Sequence, residues 1–139
     1  MRKRNILALV LFIIYLGAVA YCCFGHFNDL PEIGQDTFLG IPMDKIVHFL
    51  MFFPFPVLCF TAFSGRTNKP WKSVLAVSSV FLIGCLIAAG TEVGQSFTDY
   101  RSGDILDFAA DAVSLAISSV IVLFIDLRII KNRTCSKDS

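Results

Sequence analysis

Charge is what this sequence has little of. Of its 139 residues 17% are charged, where a soluble domain carries about 25%. The net charge of +1 leaves neither a basic face for nucleic acid nor an acidic tail. Histidine occurs only at His26 and His48, with no H-x-x-x-H spacing, and the five cysteines (Cys22, Cys23, Cys59, Cys85 and Cys135) include no C-x-x-C pair. That argues against a zinc motif or a disulfide framework. Cys59 and Cys85 fall inside apolar runs, where a thiol acts as a small hydrophobe. Tyr21, just before Cys22 and Cys23, stands where a lipoprotein signal needs a small residue. There is no Gly-rich phosphate loop and no nucleophile motif, so the usual signatures of phosphoryl and acyl transfer are missing.

What the chain has instead is apolar length: 55% of its residues are hydrophobic, 14 of them Phe. A bilayer core of about 30 Å takes roughly 20 helical residues to cross. Four runs match, at residues 5–24, 45–63, 73–95 and 107–127. The first, preceded by MRKR, resembles a secretory signal, but it exceeds the roughly 7–15 apolar residues of one, and three more runs follow. It reads as a retained helix. The links of about twenty, nine and eleven residues hold no soluble domain. The expected fold is an all-α, integral membrane four-helix bundle, a single domain over 1–139.

Basic residues mark the cytoplasmic side of such a bundle. Ten of the twelve lie before the first run, in the second link or after the last run. The first and third links, with the helix ends beside them, hold nine of the eleven acidic residues. Both termini are therefore expected in the cytoplasm of a multi-pass protein of a bacterial inner membrane. Small residues one turn apart (Gly84 and Ala88, Gly90 and Gly94, Ser114 and Ser118) suit close helix contact in lipid. Pro54 and Pro56 remove backbone donors within the second run and should kink or break it.

With that orientation the unusual polar residues gather at the outer ends of helices 2–4. Asp44, Lys45 and His48 lie within one turn of each other. Glu92 and Gln95 are three apart, and Asp104, Asp107 and Asp111 follow i, i+3, i+7, a single narrow stripe on which Asp111 lies about 6 Å deeper than Asp107. Arg101 precedes that stripe. Turning a carboxylate toward lipid is costly, so these stripes should face inward. Five carboxylates then meet two fixed positive charges, Lys45 and Arg101. A bound proton, a divalent cation or a basic ligand would relieve the excess. Asp44 and Asp104 also stand at helix starts, where they could serve as caps.

The series Asp44-Lys45-x-x-His48, Glu92-x-x-Gln95, then Arg101 with Asp104 and Asp107 resembles the VanZ-like family of small bacterial membrane proteins, over about residues 44–118. In that family an Asn often follows the last Asp by four residues, with glycines after it; here Asp111, Ser114 and Ser118 stand there. The family takes its name from a protein associated with teicoplanin resistance. The resemblance implies an inner-membrane protein with a site on its outer face and names no reaction.

The residues Asp44, Lys45, His48, Glu92, Gln95, Arg101, Asp104, Asp107 and Asp111 are accordingly the candidate ligand-binding set. The reading preferred is a binding module for a lipid-linked envelope intermediate or an amphiphilic antibiotic, in which Arg101 and Lys45 hold phosphate or carboxylate. Membrane lipids are the expected surroundings, with no nucleic acid and no required cofactor, although a divalent cation is compatible. The alternatives are an enzyme acting on a lipid headgroup, with His48 and Glu92 as acid–base pair, and a polar network that only joins helices. A transporter fits less well, because the cytoplasmic half of the spans is almost wholly apolar.

Overall fold

Without water to accept its hydrogen bonds, an apolar backbone run satisfies itself as a helix. The computed structural model describes residues 6–25, 37–38, 40–63, 69–98 and 104–135. Within them α1 spans Ile6–Phe24, α2 Met43–Phe52, α3 Phe55–Phe63, α4 Pro70–Ser96 and α5 Ile105–Cys135. Taken together, α2 and α3 make one stretch, Met43–Phe63, so that four helical stretches are long and apolar enough to cross a membrane. Two short strands, β1 (Thr37–Phe38) and β2 (Ile41–Pro42), pair antiparallel and lead directly into α2. Gly40, between them, has φ 81°, a left-handed conformation that glycine adopts without a Cβ penalty.

The second span breaks where its prolines lie. Phe53 still donates to the Phe49 carbonyl at 3.2 Å, whereas Pro54 has no N–H, and α3 restarts with Leu58 donating to the Pro54 carbonyl at 3.0 Å. Neighbouring helices supply donors to carbonyls just before the break. The Tyr15 hydroxyl of α1 donates to the Met51 carbonyl at 2.6 Å, and the Ser114 hydroxyl of α5 donates to the Phe49 carbonyl at 2.5 Å. The kink is thus a place where three helices are tied together.

Several helix bounds differ from expectation, α4 starting at Pro70 and α5 at Ile105 a little before the expected runs. α2 starts at Met43 with Pro42 as its N-cap residue and no side-chain cap bond, so Asp44 sits in the first turn rather than at the cap. Its charge there still faces the positive end of the helix dipole. α5 runs on to Cys135, past the expected end at 127. Ile129 and Ile130 prolong its apolar run, and Arg133, in the last turn, suits the negative end of the dipole.

The packing is inverted relative to a soluble protein. Large apolar side chains such as Leu82, Leu86, Val120 and Phe124 point outward, while His48, Glu92, Gln95, Asp107, Asp111, Ser114 and Ser118 are buried. An apolar exterior around a polar interior fits a surface solvated by lipid. The apolar core joins α1 and α3, where Phe12 meets Phe55 with ring centroids 5.6 Å apart, to α4 and α5 through Ala88 and Leu115. Gly84 permits that junction, because a Cβ there would lie 2.8 Å from Leu115 Cδ2 and 3.1 Å from Phe55 Cδ1. Gly94 is likewise covered by the Phe24 ring, whereas Gly90 has nothing within 4 Å, so the second small-residue pair packs through one member only.

α4 and α5 run antiparallel. Ser73, near the start of α4, bonds to Asp126, late in α5, whereas Glu92, near the end of α4, receives the Asp104 N–H just before α5 begins. At that same end Gln95 Nε2 donates to the Cys23 carbonyl at 3.1 Å, in the last turn of α1. One end of the bundle therefore collects the ends of α1 and α4 and the starts of α2 and α5.

Candidate functional site

That end holds the polar cluster. On α2 the helical period sets Asp44, Lys45 and His48 toward α5. On α5 it aligns Asp104, Asp107 and Asp111, whose side chains are 42%, 7% and 0% exposed in that order. The i, i+3, i+7 stripe is thus a path from the surface into the bundle. Its outermost member caps α5: Asp104 Oδ1 accepts the Leu106 N–H at 2.9 Å, as its position at a helix start implied. That N–H bond, and then the Lys45 ammonium, hold the Asp104 carboxyl below the usual carboxylate range.

Lys45 closes the mouth of the cluster. Its Nζ donates to Asp104 Oδ2 at 2.9 Å and to Asp107 Oδ1 at 2.8 Å. Asp44 belongs to the same level, since single donor atoms of Asp44, His48 and Asp107 all lie within 4.8 Å of one another.

Below the lysine, His48 is enclosed, 1% exposed. Its Nδ1 lies 3.3 Å from Asp111 Oδ1, 3.4 Å from Asp111 Oδ2 and 3.6 Å from Glu92 Oε1, and its Nε2 lies 4.0 Å from Asp107 Oδ2. Both ring nitrogens therefore face carboxylates. A neutral imidazole has one N–H and one lone pair, so in either tautomer a lone pair points at carboxylate oxygen. A proton on a facing carboxyl, a second proton on the ring or a bound cation would each turn that repulsion into attraction. Glu92 is oriented by its other oxygen, Oε2, which accepts the Asp104 N–H at 3.0 Å. Among the described residues, Glu92 Oε1 and Asp111 Oδ1 are buried and lack a hydrogen bond.

Seven of the nine candidates meet here: Asp44, Lys45, His48, Glu92, Asp104, Asp107 and Asp111. Gln95 is buried beside them but spends its amide on the end of α1. Arg101 lies outside the described residues. Sequence reasoning overlooked Asp126, whose bond to Ser73 makes a second polar tie in the half of the bundle expected to be apolar; a lone acid beside Arg128 looks like an interfacial residue. It also missed Tyr15 and Ser114 as donors to the broken span, because their partners are backbone carbonyls with no sequence signature.

Chemically, the arrangement offers a cation at the mouth, an imidazole between carboxylates and several hard oxygen donors. Among the described residues two groups could hold a metal ion, Asp44 with His48 and Asp107, and His48 with Glu92 and Asp111. A family model described as VanZ/LLP1 matches residues 12–126, extending on both sides beyond the polar motifs. No curated protein and no solved structure matches the chain.

Proposed function

The chain belongs to the VanZ/LLP1 family and is a multi-pass membrane protein of that type, and from this premise we propose that its polar cluster binds the headgroup of an amphiphile at the outer face of a bacterial inner membrane. The ligand class is a lipid-linked envelope intermediate or an acylated antibiotic, with the headgroup at Lys45 and Arg101 and the tail along the apolar exterior. The observation that carries this reading is the burial gradient along Asp104, Asp107 and Asp111 beneath a partly exposed lysine. It sets a graded series of polar groups from the surface at one end of the bundle toward its interior.

Orientation follows from the basic residues, most of which flank the other end. Both termini then lie in the cytoplasm and the cluster faces outward. Lys45 is held by two carboxylates, so an anionic headgroup would displace one of them, and an amine or sugar hydroxyl would be taken by the oxygens released.

The test is ligand-dependent thermal stabilisation of the detergent-purified protein, with a polyprenyl phosphate and with teicoplanin as probes. A rise in melting temperature that is lost in Lys45→Met and Arg101→Ala, while both variants still insert and fold, supports binding. No rise with either probe, and no amphiphile copurifying in extracted lipid, would sink it.

One observation favours a second reading. His48 Nδ1 and Glu92 Oε1, 3.6 Å apart, are placed for acid–base catalysis on a headgroup, with a divalent cation on the carboxylates. Incubation with labelled lipid intermediates and divalent cations separates this from binding, because an enzyme must release product.

A further inference from the structure

We propose that His48, Glu92 and Asp111 form a site for one divalent transition-metal ion such as zinc, bound through His48 Nδ1, Glu92 Oε1 and Asp111 Oδ1. This inference stands apart from the amphiphile reading and does not depend on it.

Three independent features converge on those atoms. The first is spacing. Zinc bonds to imidazole and carboxylate run about 2.0–2.2 Å, which in a tetrahedron sets neighbouring donors roughly 3.3–3.6 Å apart. The two separations from Nδ1 are 3.3 Å to Asp111 Oδ1 and 3.6 Å to Glu92 Oε1. The second is satisfaction. Those two oxygens are buried and without a hydrogen bond, on residues 0% and 8% exposed, a state that buried polar atoms rarely keep. The third is charge. Two carboxylates and a neutral imidazole balance a 2+ ion, and among the described residues the Lys45 ammonium is spent at the other level, on Asp104 and Asp107.

The surroundings orient the ligands as metal sites require. Glu92 Oε2 is fixed by the Asp104 N–H at 3.0 Å, leaving Oε1 turned to the histidine. With a metal on Nδ1 the ring proton sits on Nε2, which faces Asp107 Oδ2 at 4.0 Å. A carboxylate behind a ligating imidazole is the usual outer partner; at 4.0 Å this one acts by charge, beyond hydrogen-bond reach. The same choice resolves the lone-pair conflict at His48, since one nitrogen binds the ion and the other carries the proton. It also ranks the two candidate groups: Asp44, His48 and Asp107 lie where Lys45 already supplies positive charge, so the deeper triad is the one in need of a cation. Nitrogen with hard oxygen donors suits Zn²⁺, Mn²⁺ or Fe²⁺, and three protein ligands leave a fourth position for water or a bound group.

The experiment uses the full chain purified in detergent, stripped with chelator and titrated with Zn²⁺, Mn²⁺ and Co²⁺, with bound metal counted by elemental mass spectrometry. The expected result is one equivalent of Zn²⁺ per chain and, with Co²⁺, the visible absorption of a four-coordinate ion. Outer partners of metal ligands are worth about 10–100-fold in affinity, so removing a ligand by His48→Gln or Asp111→Asn should cost more than about 100-fold. Asp44→Asn should leave the affinity within a few-fold. Wild-type protein that stays folded yet binds no more metal than a His48→Gln chain overturns the proposal, as does loss of metal in Asp44→Asn with retention in Asp111→Asn. Should the triad variants fail to fold, the cobalt spectrum and stoichiometry of the wild-type chain decide alone. Neither outcome bears on amphiphile stabilisation, which is read separately.

Discussion

Lys45 Nζ and Asp107 Oδ1 lie 2.8 Å apart although 62 residues separate them in sequence. The contact joins the first turns of α2 and α5, and among the described residues it is the shortest charged link across the mouth of the cluster. The same nitrogen reaches Asp104 at 2.9 Å, but the two carboxylates differ in surroundings, with side chains 7% and 42% exposed. Screening by solvent weakens the outer pair and spares the inner one. A double-mutant cycle of Lys45→Met with Asp107→Asn should therefore show a coupling of about 1–2 kcal/mol. The cycle with Asp104→Asn should show less. Thermal unfolding in detergent of the four chains in each cycle measures both, and equal couplings would contradict the gradient of burial.

The outer pair has its own signature in pH. Asp104 is held below its ordinary range by the Leu106 N–H and by Lys45. A carboxylate lowered in the folded state stabilises above its unfolded pKa, about 3.9, and that contribution disappears as pH falls through the folded value. The melting temperature of Asp104→Asn should lie below wild type at neutral pH, and the gap should close below about pH 4. Asn still caps helices well, so the gap reports mainly the charge. A gap that stays constant down to pH 3 would show that Asp104 acts only as a cap.

The glycines of α4 give a graded packing series. A Cβ on Gly84 would sit 2.8 Å from Leu115 Cδ2 and 3.1 Å from Phe55, both fully enclosed, so Gly84→Ala should destabilise by about 1–3 kcal/mol. On Gly94 it would meet only the Phe24 ring at 2.8 Å, and Phe24, being partly exposed, can swing away. Gly90→Ala should be neutral or mildly stabilising, because alanine is the better helix former. Unfolding midpoints should fall in the order Gly90→Ala, Gly94→Ala, Gly84→Ala, from highest to lowest.

The break in the second span carries a further expectation. Tyr15→Phe and Ser114→Ala each remove one donor to the carbonyls of Met51 and Phe49, and each should cost about 0.5–1.5 kcal/mol. Pro54→Ala restores an N–H whose helical acceptor is the Leu50 carbonyl. The Met51 carbonyl is still served from α1 in that background, so loss of the Tyr15 hydroxyl should cost about as much there as in the wild-type chain.

Periodicity and charge made much of this legible in the sequence. The spans, the proline break and the i, i+3, i+7 stripe are local properties, fixed by pitch and by the cost of polar groups in lipid. Pairings were not legible, because Lys45 meets Asp104 and Asp107 only once the starts of α2 and α5 are brought side by side at one end of the bundle. For the same reason Gln95 could be placed near the cluster but not seen to bond the Cys23 carbonyl, and Asp126 could not be seen to find Ser73. The helix ends moved where capping, rather than apolar content, sets the boundary: Pro42 starts α2 earlier, and the basic residues after Leu127 carry α5 further. Arg101, the second cation of the sequence argument, lies outside the described residues.

Orientation across the membrane is the last expectation, and the proposed function depends on it. The cluster and the basic end of α5 occupy opposite ends of the bundle, so one labelling experiment reads both. In a background with the native cysteines replaced, Asp104→Cys and Lys131→Cys each place a thiol at an exposed or half-exposed position. If the positive-inside bias governs insertion, a membrane-impermeant maleimide added to intact cells should modify the thiol at 104, and the one at 131 only after permeabilisation. The reverse pattern would put the cluster in the cytoplasm. There it would meet soluble anions and nucleotides rather than envelope intermediates, and the ligand class proposed above would have to be abandoned even if the metal site stood.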